Sequence, residues 1–138
     1  MQPMDSTPEF TTGAAWMDSL HRGVARSLRR TCEARDHELC AAYGALVACL
    51  ERAFSAEEDR MEETDPAATR SHREQHARVL QGLHCVHAQL LGGDVQLGRK
   101  IAADLLPRWL TYHIAAMDVP LAKATENGDY AVSRSGYA

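Results

Sequence analysis

The sequence predicts an all-α protein, an antiparallel bundle of four helices, on three observations. Aromatic residues make up only 6% of the 138, alanine and leucine dominate, and β-branched residues are thinly spread, so period-two strand patterns are absent. Four segments carry apolar side chains at steps of three and four. The breaks between them are short and marked by Asp, Pro and Gly, and short connections set consecutive helices antiparallel.

The first helix follows Met17, Leu20, Val24 and Leu28, with Arg22, Arg26, Arg29 and Arg30 outside that stripe as a solvated face. The second follows Leu39, Tyr43, Leu46, Leu50, Ala53, Glu57 and Met61, with Asp36 placed to cap its start. Asp65 followed by Pro66 signals the next helix start, because proline in the first turn loses no intrahelical hydrogen bond. That third helix carries His72, His76, Val79, Leu83, Val86 and Leu90 on one side and stops at Gly92 and Gly93. Asp94 can cap a fourth helix through Ile101, Leu105, Trp109, His113 and Leu121. Residues 1–12 and 126–138 lack periodicity, which gives an extended N-terminal arm, a bundle domain over residues 13–125 and a flexible C-terminal tail.

Composition narrows the function. Fifteen Lys and Arg against nineteen Asp and Glu give a formal charge of −4, a poor match to nucleic acid as a partner. The longest uninterrupted apolar stretch, Ala41 to Leu50, is about half of the ~20 residues that cross a bilayer, so no membrane partner is expected. The start of the chain lacks the basic-then-apolar order of an export signal, which makes the cytoplasm the default address. Cys32, Cys40, Cys49 and Cys85 form no C-x-x-C pair and read as reduced core thiols.

Glu57, His72, His76 and His113 break the rule that inward stripes are apolar, and buried charge must be paired or bind metal. Residues equidistant from a tight antiparallel turn share a height in the bundle. The midpoint of Glu57 and His72 falls between Thr64 and Asp65, at the Asp-Pro turn. The common midpoint of the His72–His76 pair and the His113–Asp118 pair falls near residue 95, beside the Gly-Gly turn, and His21 and Asp18 are level with Ala53 to Glu57. His21, Glu57, His72, His76, His113 and Asp118 therefore form one predicted layer of metal donors. His72 and His76, at i and i+4, stack on one helical face. Imidazole and carboxylate without thiolate suit iron, zinc or manganese, and two carboxylates able to bridge favour a pair of ions. His37, His84 and His87 fall far from this layer. His113 and Asp118 are five apart, which on a regular α-helix points them about 140° away from each other. A one-residue widening, a π-bulge, would bring both to one centre, and Pro120 just beyond it is compatible.

The pattern resembles the hemerythrin family, in particular single-domain bacterial members, over about residues 13–124. Gly13, Asp18 and His21 match G-x-x-x-x-D-x-x-H; Phe54, Glu57, Glu58 and Met61 match F-x-x-E-E-x-x-M. His72 and His76 match H-x-x-x-H, and Trp109, His113, Ile114 and Asp118 match W-L-x-x-H-I-x-x-x-D. The resemblance implies the up-down-up-down order and two iron ions with a bridging oxo or hydroxo group. It also implies His72, His76 and His113 on one iron, His21 on the other, and Glu57 and Asp118 as bridges. The family's further histidine on the second iron is replaced by Ala53. By ligand count the second iron then has two open positions, and that ion is prone to partial occupancy. The resemblance implies a partner of dioxygen or nitric oxide for storage, transport or sensing, without catalysis. The extra open position raises two alternatives: an enzyme of peroxidase or nitric-oxide-consuming type, or a sensor module with a degraded site. Phe54, Met61 and Trp109 are the candidate walls. The oligomeric state is not legible.

Overall fold

A computed structural model describes residues 10–126, and within them the chain is four helices without strands. Helix α1 spans Ala15–Glu33, α2 Asp36–Met61 and α3 Pro66–Leu91. The fourth rod is composite. It begins as α4 (Gln96–Lys100), widens into a π turn at Ile101–Leu105, continues as α5 (Leu106–His113), widens again at Ile114–Asp118, and stays helical through residues 119–126. Each short connection reverses the chain, and α1 packs on both α2 and the first π turn, closing the bundle. The expected arm and tail lie largely outside the described residues.

Local chemistry sets the ends. Pro66 opens α3 while the Asp65 carboxylate accepts the Ala67 N–H at 3.0 Å. Gly93, at φ +96, makes the left-handed turn after α3, and the Asp94 carboxylate accepts the Gln96 N–H. Gly98 is needed for a different reason: a Cβ there would stand 2.9 Å from Leu90 Cδ2, so its absence lets the fourth rod approach α3. The expected cap at Asp36 is corrected. Arg35 occupies the cap position and its N–H donates to Glu38, three residues on, while Asp36 is already helical and pairs with Arg99 at 2.6 Å. Arg99 also donates to the Ala34 carbonyl, tying the fourth rod to the first turn.

Both π turns close one residue before a proline. The Leu106 N–H bonds to the Ile101 carbonyl ahead of Pro107, and the Val119 N–H to the Ile114 carbonyl ahead of Pro120. A proline inside a helix lacks the donor and crowds the carbonyl four residues back, and a wide turn relieves both. The first widening corrects the predicted stripe. Its extra residue shifts the helical phase, so Ala102, Leu106 and Leu110 are buried while Leu105 is 44% exposed.

The apolar interior forms two clusters separated by a polar layer. The larger contains Val24, Leu28, Leu39, Tyr43, Leu46, Leu50 and Leu83 among others; the smaller is Met17, Met61, Leu121 and Ala122. By length and composition α2 could cross a membrane, but its apolar face is the one buried here against α1 and α3. The cysteine reading is also corrected: all four are free, but Cys32 and Cys85 are exposed and Cys40 and Cys49 only half-buried, because they sit beside the stripes. Tyr43 is fully buried and its hydroxyl donates to the Leu83 carbonyl at 2.9 Å, joining α2 to α3. Tyr43→Phe is expected to lower unfolding free energy by about 1 kcal/mol, measured by urea denaturation at unchanged slope.

Candidate metal centre

All six predicted donors lie in the layer between the two apolar clusters, and each is at most 4% exposed. Helix α1 contributes His21, α2 Glu57, α3 His72 and His76, and the fourth rod His113 and Asp118. The second π turn spans Ile114–Asp118, so the five-residue step from His113 to Asp118 is one wide turn and both side chains face inward.

Donor atoms of Glu57, His72, His76, His113 and Asp118 all fall within 4.8 Å of one another. His113 Nε2 is 3.2 Å from His72 Nε2 and 3.1 Å from His76 Nε2. Glu57 Oε1 lies 3.2 Å from His72 Nε2, 3.3 Å from His76 Nε2 and 3.9 Å from His113 Nε2. Asp118 Oδ1 lies 2.9 Å from His72 Nε2 and 3.3 Å from His113 Nε2. In an octahedron with bonds of about 2.1 Å, adjacent donors stand about 3.0 Å apart and opposite ones about 4.2 Å. Most of these spacings match octahedral edges, and the longest tends toward a diagonal. The other oxygen of each carboxylate faces away from this group toward His21: Asp118 Oδ2 is 3.1 Å and Glu57 Oε2 3.9 Å from His21 Nε2. Each carboxylate is thus divided: Glu57 has His21 on one side and His72, His76 and His113 on the other, and Asp118 has His21 on one side and His72 and His113 on the other.

The outer nitrogens orient the rings. His21 Nδ1 donates to the Phe10 carbonyl at 3.1 Å and His113 Nδ1 to Gln75 Oε1 at 2.8 Å, which turns the Nε2 lone pairs inward. His76 Nδ1 lies 3.5 Å from Glu58 Oε2. Phe54 stacks on His76 with centroids 3.9 Å apart, and Trp109 stacks on His113 at 4.4 Å. These two are walls, as expected; Met61 instead belongs to the smaller apolar cluster. His37 and His84 are exposed, His84 beside Glu51, and His87 stacks on Tyr43 at 5.7 Å.

Gln75 and Phe10 escape sequence reasoning. Gln75 is a polar residue on a polar helix edge, and a backbone carbonyl has no sequence signature. Asp18, level with the layer, does not join it: its carboxylate accepts from the Thr12 and Gly13 N–H groups and the Thr12 hydroxyl, holding the segment that presents the Phe10 carbonyl. Although burial opposes ionisation, these hydrogen bonds hold the Asp18 carboxyl below its usual value. Removing the Gln75 acceptor with Gln75→Leu is expected to weaken metal binding about 10-fold to 100-fold while the bundle stays folded, read by competition with a coloured chelator.

Electrostatically the cluster attracts positive charge. Burial alone would depress the histidines, yet the adjacent Asp118 and Glu57 carboxylates raise His21 to about 10 and His72 to about 9, and raise His113 as well. Against its own burial, Glu57 is held well below the carboxylate range by His113, His21, His72 and His76. Asp118 Oδ1 and His21 Nε2 are buried with ion-pair partners at 2.9 and 3.1 Å but not aligned with them for a well-directed hydrogen bond. Inward imidazole nitrogens, two buried carboxylates and imperfectly paired buried donor atoms fit a bound cation.

Fold and site together define a four-helix-bundle protein with a buried histidine and carboxylate cluster able to hold metal. A bacteriohemerythrin of Ralstonia nicotianae is 30% identical over 106 residues, covering 77% of each chain. The chain belongs to the hemerythrin family. No family model matches the sequence, and no solved structure does.

Proposed function

We propose that this protein is a non-haem di-iron protein that binds dioxygen or a related diatomic such as nitric oxide, without turning it over. The observation that carries the reading is the division of Glu57 and Asp118, each with one oxygen toward His21 and the other toward the opposite imidazoles, His72, His76 and His113 for Glu57 and His72 and His113 for Asp118. Two ions would suit that arrangement. His72, His76 and His113 would hold one iron and His21 the other, with Glu57 and Asp118 shared. Iron so held would supply an electron-rich centre for an uncharged diatomic.

The chain's own residues do the rest. Phe54 and Trp109, stacked on His76 and His113, keep the imidazoles in place and exclude water from one side. The Phe10 carbonyl and Gln75 fix the tautomers that leave Nε2 free to coordinate. One observation favours the enzymatic alternative: Ala53 is 3% exposed on the stripe that carries Glu57, where the family's extra histidine would otherwise fill a coordination position.

Anaerobic loading with ferrous iron followed by metal analysis and titration with nitric oxide tests the reading. One tight and one weaker iron per chain, with reversible nitric oxide uptake, are expected. Retention of no more than one metal per chain, or consumption of nitric oxide instead of its binding, would defeat it.

A further inference from the structure

We infer that the cavity between the start of α3 and the end of the fourth rod is the route and holding site for an uncharged, apolar gas on its way to the donor cluster. This rests on the function proposed above and names the side from which its ligand arrives. The cavity has a volume of about 300 Å³. Ala68, Ala116, Met117, Pro120, Leu121 and Ala124 supply its apolar walls, and His72, 3% exposed, lies at its inner end.

The polar lining narrows the ligand class. The Thr64 hydroxyl donates to the Met61 carbonyl, the Thr69 hydroxyl donates to the Pro66 carbonyl, and the Asp65 carboxylate accepts the Ala67 N–H. All three are committed to the turn at the start of α3. His72 Nε2 faces Glu57 and Asp118. The cavity therefore offers an anion no uncommitted hydroxyl donor, and Asp65 at its edge adds negative charge. Apolar walls in a cavity favour xenon and other small apolar molecules over ions. The geometry follows from the second π turn: the same wide turn that aims Asp118 at the cluster carries Ala116 and Met117 to the cavity wall.

The other apolar hollow, lined by Val79, Gly82, Leu83, Val86, Leu105 and Trp109, includes none of the six donors. At its inner end Trp109 lies flat against His113, so the indole stands between this hollow and the cluster. It serves as the internal control.

The experiment has two arms. In the first, xenon is added to zinc-loaded protein and the alanine methyl resonances are followed by NMR. Ala68 and Ala116 are expected to shift, and Ala68→Trp to abolish the shift at Ala116. In the second, nitric oxide association with ferrous protein is followed by stopped flow at matched metal content. Ala68→Trp and Ala124→Trp are expected to slow association roughly tenfold with little change in equilibrium affinity, whereas Gly82→Phe leaves it unchanged. Both arms overturn the route if xenon gathers beside Leu83 instead, or if the plugged proteins bind nitric oxide at the original rate. A wild-type protein that holds iron but takes up no nitric oxide defeats the proposed function, and the xenon arm still decides whether the cavity holds gas.

Discussion

Replacing Glu57 with glutamine is expected to reduce binding of the second metal ion by roughly a hundredfold or more, leaving at most one ion per chain by metal analysis. The shape of the side chain is kept, so the loss reads out charge and bridging. One Glu57 oxygen faces His72 and His76 and the other faces His21, and an amide cannot supply two anionic donors. The metal-free protein shows the same residue at work through pH. His21 is raised to about 10, so its contribution to stability is complete below the ordinary histidine value of 6.5 and is lost as pH rises through 10. Glu57 is depressed, so its contribution is complete above the ordinary value of 4.5 and is lost in stronger acid. Metal-free wild type and Glu57→Gln should therefore differ most in melting temperature between pH 4.5 and 6.5 and converge toward pH 10. An unchanged melting difference across that range would show that Glu57 does not hold the imidazoles' protons.

Ala53→His should act in opposite directions on the two forms of the protein. Ala53 is 3% exposed, beside Phe54 and one turn before Glu57 on the buried stripe. An imidazole there overfills a packed interior, so the metal-free protein is expected to lose about 1–3 kcal/mol. With iron supplied, the added nitrogen should tighten the weaker ion about 10-fold to 100-fold and bring the content to two per chain. Calorimetric melting with and without iron reads both effects at once. A variant destabilised in both forms, with metal content unchanged, would show that position 53 faces packing rather than the cluster.

Much of this architecture was legible because it is written in periods and turn residues. Glu57 and Met61 stand on the α2 stripe at the spacing of its leucines, and Asp65–Pro66 and Gly92–Gly93 mark turns by backbone chemistry that belongs to the residues themselves. The six candidate donors were legible as a layer because tight turns make height in the bundle a matter of counting. The second π turn was legible because His113 and Asp118 were out of phase. The first was not, although Pro107 is its signal, because no polar pair exposed the mismatch; unbroken periodicity turns Leu105 inward, whereas the wide turn leaves it outside. Asp36 has the chemistry of a cap, but its carboxylate pairs with Arg99, sixty-three residues away, and no local pattern reports such a partner.

The sequence by itself determined four helices, their reversal points and which side chains share a level, since these follow from helical periodicity and from residues that stop or start a helix locally. Only the tertiary structure decided how each carboxylate divides its oxygens, which atoms hold the outer nitrogens, and where a cavity meets His72. Those depend on distances of a few ångströms between segments far apart in the chain, set by packing that no single segment encodes.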